Sequence, residues 1–376
     1  MTTASHHAAR RYVVAAAAAL LALSVHAAPT YRIVLLEFLP GFEDSSSVED
    51  LNNHGQIVGF SYLRPNFPRA VVWDRDGRVQ PLRVPLPGST EPGWAWGNNQ
   101  RGQIVGGNLL FLTNRGYEHA ARAVLWLPGG RMQVLPSLSL PGAPYGWAYA
   151  RAINDHGDAV GESNFKPVLW EAGRGVRDLG ALPTYPEGEG SATAINNAKQ
   201  VVGVIAAIAL PNWQFINHAF IWSEATGMQD LGARLGPPDM RSWASAINDR
   251  GQVVGATLDS EGRGHAFVWS EHEGLVRLGG PGDTESFASD INNAGVVVGS
   301  VNGEAVLWSR GEGLQKIMDL VDPADPLKDQ VSLGVHDIND LGEIAGTIQG
   351  DFINWWWRAV LLIPQTPARV PVRAAP

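Results

Sequence analysis

The sequence predicts an all-β fold, a seven-bladed β-propeller of four-stranded blades, on three observations. The nonapeptide "INDRGQVVG" at Ile247–Gly255 recurs as "LNNHGQIVG" from Leu51, "NNQRGQIVG" from Asn98, "INDHGDAVG" from Ile153, "INNAKQVVG" from Ile195, "INNAGVVVG" from Ile291 and "INDLGEIAG" from Ile338. A second motif follows each copy: "AVVW" from Ala70, "AVLW" from Ala123, "PVLW" from Pro167, "AFIW" from Ala219, "AFVW" from Ala266, "AVLW" from Ala305 and "AVLL" from Ala359. A third, a glycine then a short apolar stretch as in "GVRDLG" from Gly175 and "GMQDLG" from Gly227, follows the first six copies and is missing after the seventh. Copies begin 42 to 55 residues apart, about the length of a four-stranded blade.

Each element has a local reason. Strand A is the small-residue stretch before the asparagine, such as "SWASAI" from Ser242, and the fourth residue before each asparagine is Ala or Val, as a crowded innermost strand requires. Strand B is "QVVG", strand C carries AxxW, and both are rich in Val, Ile and Trp, which suit a pleated buried surface. Strand D is the "MQDLG" type of stretch. Between strands A and B, Asn248 suits the first position of a type I turn, Asp249 and Arg250 its corners, and Gly251 the left-handed residue of a bulged hairpin. One copy carries Lys199 at that last place, at a cost of about 1 kcal/mol. The missing strand D of the seventh unit is supplied from the other end, where "YRIVLLEFLPG" from Tyr31 provides residues 31 to 37 to complete the last blade. A closed ring explains that permutation; an open solenoid would end in polar caps.

Residues 1–27 read as a secretory signal: basic Arg10 and Arg11, an apolar stretch from Tyr12 to Leu23 too short to span a bilayer, and Val25-His26-Ala27 at the cleavage site. Residues 28–364 form the propeller, and 365–376 a Pro-rich disordered tail. The expected location is therefore secreted or periplasmic, with no transmembrane anchor. Removing Arg10 and Arg11 from 28 basic residues leaves 26 against 37 acidic ones, a formal charge of −11 that argues against nucleic-acid binding. The chain has no Cys, so disulfides and thiolate metal sites are excluded.

The motifs "HAFVW", "DLG" and "INDRGQVVG", in that arrangement over nearly the whole mature chain, resemble the HAF-type extracellular repeat, whose His-Ala-Phe triplet stands at His218-Ala219-Phe220 and His265-Ala266-Phe267. The resemblance implies an exported bacterial repeat protein and carries no established activity. Arg69, Arg122, Lys166, Glu304 and Arg358 replace the histidine elsewhere, which speaks against a histidine site common to all units.

No catalytic, metal or cofactor set is legible. His218 and His265 read as structural, because equivalent places in a ring lie far apart. "WDRDGRV" from Trp73 lacks the later ligands of a calcium loop and reads as a turn. The paired acids Glu43-Asp44 and Glu187-Glu189 read as solvated loops. Six of the 14 tryptophans belong to AxxW and to the blade core. The other eight cluster in or beside the B–C and D–A connections, which emerge on one face and vary most in length. The candidate ligand-binding residues there are Trp94, Tyr149, Trp213, Trp243, Phe287, Trp355 and Trp356, beside acids such as Glu91, Glu187, Asp239, Asp283 and Glu285. The expectation is a monomeric binding module contacting a glycan or an extracellular or envelope protein through this face. The alternatives are a polysaccharide-active lyase or hydrolase and a purely structural envelope protein. Packing of the rings between blades competes with a binding role for all of them.

Overall fold

The computed structural model describes residues 30–62, 68–83, 89–112, 118–139, 146–209, 214–236, 241–279, 283–328, 332–349 and 357–365. The described residues form seven four-stranded antiparallel sheets. Blade 5 shows the plan: strand A is Ser242–Ile247, B is Val253–Leu258, C is Gly264–Ser270 and D is Gly274–Arg277, hydrogen-bonded in that order. Strands A of successive blades touch one another, so they form the innermost ring.

The last blade is closed from the N-terminus, as expected. Thr30–Leu35 pairs antiparallel with Trp357–Gln365, placing Tyr31 opposite Pro364 and Leu35 opposite Val360. The outer strand is one residue earlier at its start and two shorter at its end than the sequence suggested. Gln365, assigned from sequence to the tail, is the last residue of strand C, opposite Thr30. Residues 1–29, which include the segment read from sequence as a secretory signal, and residues 366–376 lie outside the described residues. Two single-turn helices, Gly232–Leu235 and Ile317–Leu320, follow strands D of blades 4 and 6. Four residues are too few to leave a helical period in the sequence.

The nonapeptide hairpin has the expected geometry. In blade 5 the N–H of Gly251 donates to the carbonyl of Asn248 at 3.0 Å, the N–H of Asn248 to that of Gln252 at 3.1 Å, and Gly251 has φ of +72°. Lys199 adopts φ of +58° at the equivalent position. Its ammonium group lies 3.0 Å from Glu171 and 3.2 Å from Asp158, contacts that offset part of the backbone strain.

The second glycine of the nonapeptide answers a different constraint. All seven strands A carry a bulge three residues before the asparagine, as between Ala244 and Ala246. The bulge drives a strand A carbonyl toward strand B, and a Cβ on Gly255 would lie 2.1 Å from the carbonyl oxygen of Trp243. The AxxW indoles fill the seams: Trp73, Trp126 and Trp170 are buried, and each donates its N–H to a carbonyl just beyond strand D of the preceding blade, Glu37, Arg83 and Pro136.

Candidate functional site

The two ends of the ring are built differently. At the hairpin end, the repeat asparagines form a closed collar around the axis. Each Oδ1 accepts the N–H four residues on, for example Gln252 to Asn248 at 3.0 Å. Each Nδ2 donates to the backbone carbonyl of the equivalent asparagine in the next blade. The series runs from Asn52 to Asn99, Asn154, Asn196, Asn248, Asn292 and Asn339, and returns from Asn339 to Asn52. A second closed series runs through the next residue, whose N–H donates to the side chain at the same place one blade on: Asn53, Gln100, Asp155, Asn197, Asp249, Asn293, Asp340 and back to Asn53. Amides and acids alternate through most of this collar. Asn197 Nδ2 lies 3.1 Å from Asp155 and 3.0 Å from Asp249, so a donor separates like charges.

The collar surrounds a cavity of about 200 Å³. Three carboxyl groups, Asp50, Asp290 and Asp337, line it in blades 1, 6 and 7, where the other blades have Gly97, Ala152, Ala194 and Ala246. Asp337 hydrogen-bonds to both of the others. Their remaining acceptors take backbone N–H groups: Asn98 donates to Asp50, Leu51 to Asp337 and Ile338 to Asp290. Burial and two neighbouring carboxylates hold Asp337 well above the usual carboxylate range, and burial raises Asp50. Toward the middle of the channel, burial pushes Glu49 up to about 7, opposed by Ser47 and the Arg151 guanidinium. This chemistry closes the ring. Glycosidase carboxyls stand at least about 5 Å apart, whereas Asp337 is in hydrogen-bond contact with each of the other two.

At the loop end, an aromatic run crosses from blade 2 to blade 3. Trp94 stacks on Trp96 with centroids 5.8 Å apart, Trp96 meets Tyr149 edge-on at 5.3 Å, and Tyr149 meets Trp147 at 5.7 Å. The run ends where Trp147 meets Phe165 edge-on at 4.6 Å. Arg151 lies 4.5 Å over Trp96 and pairs with Glu162 at 3.2 Å. A second stack, Trp243 with Phe287 at 5.9 Å, joins blades 5 and 6. The structure therefore brings Trp94 and Tyr149 into one group, and Trp243 and Phe287 into another. Trp213, Trp355, Trp356 and Asp239 lie outside the described residues, as does the side chain of Glu91.

Much of this aromatic surface is seam packing. A Cβ on Gly107 would come within 2.6 Å of Tyr149 and 2.8 Å of Trp96, and one on Gly264 within 2.3 Å of Phe287. Trp96 has Trp94 on one side and Arg151 on the other. Phe165 differs. It is 51% exposed and has φ of +63°, in a two-residue B–C turn with Asn164 at +51°. The same turn in blade 6 is Asn302-Gly303, the residue pair such a turn favours. A phenylalanine there costs about 1 kcal/mol of backbone strain and buries only part of its ring, edge-on to Trp147. The turn is pinned by Asn164, whose Oδ1 accepts the N–H of Trp147 and whose Nδ2 donates to the carbonyl of Leu138. The N–H of Gly190 also donates to the carbonyl of Phe165. Sequence reading missed Phe165; the signal was Phe in the place where another unit has Gly.

The histidines take local partners. His218 is buried in strand C rather than at a sheet edge, with Nδ1 2.9 Å from Asp230 on strand D. Blade 6 reverses that cross-strand pair as Glu304 with Lys316. Blade 5 has Arg277 opposite, and His265 turns instead to Asp259 at 3.0 Å. The residue before AxxW thus varies with its strand D neighbour. Asp74 accepts the N–H groups of Asp76 and Arg78, the turn expected of "WDRDGRV". The acids Glu43, Asp44, Glu187 and Glu189 are exposed. Among the described residues no group of three or more His, Asp or Glu is arranged to hold a metal ion, and no helix is long and apolar enough to cross a membrane.

No family model matches the chain, and no curated protein sequence matches it. Solved structures do match it in fold. Puromycin hydrolase superposes with a TM-score of 0.50 at 15% identity, over 82% of this chain and 51% of that one. An acylaminoacyl peptidase of Pyrococcus horikoshii gives 0.46 at 10% identity, over 82% and 51%. A gluconolactonase of Xanthomonas campestris gives 0.39 at 10% identity, over 90% and 91%. The chain spans about half the length of the first two. At these identities the likeness is one of fold alone.

A groove of about 750 Å³ opens at the hairpin side between blades 4 and 5, beside Arg234, Arg250, Glu271 and Trp269. Arg234 pairs with Glu271 at 2.7 Å and lies 5.6 Å over Trp269, so these two charges and the indole face already have partners.

Proposed function

We propose that the protein is an exported binding module whose contact surface is the loop face of blades 2 and 3. One observation carries the reading: Phe165 is held at positive φ and half-exposed, at a turn where glycine would be unstrained. Strain offset only in part, here by one edge contact with Trp147, is characteristic of surfaces under functional constraint. The aromatic run from Trp94 to Phe165 supports it, since rigid rings offer contact area at small entropic cost. The resemblance to HAF-type extracellular repeats and the basic-apolar N-terminus support export. The activities of the hydrolases, the peptidase and the gluconolactonase belong to those proteins.

The test is capture from a glycan array and from envelope extracts by wild type and by Phe165→Gly. The variant relieves strain and keeps the fold, so it separates binding from stability. Loss of the captured ligand at unchanged or higher Tm is expected; equal capture by both proteins would remove this surface as the site.

A further inference from the structure

The contact surface proposed above carries a charge bias. The D–A connection that follows blade 3, "DLGALPTYPEGEG" from Asp178 to Gly190, holds three acids and no Lys or Arg. It runs beside the Phe165 turn: the N–H of Gly190 donates to the carbonyl of Phe165 at 2.8 Å, and Lys166 Nζ donates to the carbonyl of Gly188 at 3.2 Å. Those two bonds hold the segment that carries Glu187 and Glu189, on either side of Gly188, against the backbone of the Phe165 turn. Both carboxylates are exposed, as is Asp178. Of the basic groups nearby, Arg151 is paired with Glu162, and Lys166, tethered to that carbonyl, leaves its single charge against three exposed carboxylates. An exposed ring bordered by carboxylates attracts cations to its face through the ring quadrupole, and the carboxylates add direct ion pairs. A neutral ligand could use these carboxylates as hydrogen-bond acceptors but would gain neither the ion pairs nor the attraction to the ring face.

Resting on the loop-face reading, we propose that the Phe165 turn and the acidic 178–190 connection form a docking site for a basic segment of a partner protein, with a Lys or Arg side chain over the Phe165 ring and its neighbours paired to Glu187 and Glu189. The site is small, one ring and two or three carboxylates, so its affinity depends strongly on ionic strength.

The probe is a short peptide of alternating Lys and Gly, compared with its Nε-acetylated form and with a neutral oligosaccharide, by calorimetry at low and high salt. Wild type is expected to bind the lysine peptide alone, and more weakly as salt rises. Phe165→Gly should weaken binding about tenfold, and Glu187→Gln/Glu189→Gln should weaken it and flatten the salt dependence. Failure of wild type to bind the lysine peptide, equal binding of the acetylated peptide, or indifference to the double Gln variant overturns the inference. Binding of the neutral oligosaccharide that is lost in Phe165→Gly overturns the basic partner while leaving the loop face standing. If no bound probe depends on Phe165 or Trp147, both readings fall together.

Discussion

The side-chain amide of Asn339 donates to the backbone carbonyl of Asn52, 3.2 Å away and 287 residues earlier in the chain. This bond closes a collar of seven equivalent bonds and ties the last blade to the first at the axis, while Thr30–Leu35 ties them at the rim. Ring closure is thus made twice, by a strand outside and by side chains inside.

The collar can be tested apart from the turn. Asn248→Asp keeps the oxygen that accepts from Arg250 and Gln252 and loses the donors to Asn292 and Gln252. Urea unfolding should show a loss of about 1–2 kcal/mol. Asn248→Ala, which also strands the turn amides, should lose about 2–4 kcal/mol. Equal effects of the two would mean that the side-chain donors alone matter, and an Asn248→Asp variant as stable as wild type would mean that the turn alone does.

The two glycines of the nonapeptide should respond in an order opposite to expectation from φ. Gly251→Ala sits at φ of +72°, where its Cβ would meet only the flexible end of Gln200, Oε1 at 3.2 Å, and should cost about 1 kcal/mol. Gly255→Ala drives its Cβ to 2.1 Å from the Trp243 carbonyl and should cost about 2–3 kcal/mol. Thermal denaturation of both variants decides between them.

That ordering marks the limit of what the sequence disclosed. Blade number, strand order, the closing strand and the Gly251 turn are all legible, because each follows from local chemistry repeated seven times. The bulge behind Gly255 and the partners of the Asn248 amide are not, because they depend on where a neighbouring strand or blade sits in space. The site divides similarly. Trp94 and Tyr149 were visible as aromatic loop-side residues, yet the packing of Tyr149, with Trp96, against Gly107 belongs to the seam. Phe165 escaped notice because its turn has only two residues, and its strain shows only beside Asn302-Gly303.

The channel carboxyls predict an unusual pH response. Asp337 and Asp50 are raised by burial and Glu49 is pushed up to about 7, so the folded chain holds protons that the unfolded chain has released above the ordinary carboxylate range. Where the folded state binds more protons, stability falls as pH rises. Their contribution should lower Tm steadily from mildly acidic to mildly alkaline buffer. Asp290→Asn, which removes a charge beside Asp337 and can still accept from Ile338, should flatten the decline, and Glu49→Gln should remove the part centred near neutrality. Unchanged slopes in both variants would refute the shared-proton account.

Lys199 balances strain against ion pairing. In Lys199→Gly the positive φ becomes free of strain, but the contacts to Asp158 and Glu171 are lost. At low salt the two effects should nearly cancel. At high salt, where the partly exposed pairs are screened, the glycine variant should be the more stable by about 1 kcal/mol. A variant that is less stable at every salt concentration would show that strain at this turn is negligible.

The account divides the ring into a hairpin end that holds the blades together and a loop end that meets a partner. The most direct measurement is capture of ligand by three purified proteins of equal Tm: wild type, Phe165→Gly at the loop end, and Arg250→Ala beside the hairpin-end groove. Capture lost in Phe165→Gly and retained in Arg250→Ala is the predicted result; capture retained in Phe165→Gly and lost in Arg250→Ala would contradict it.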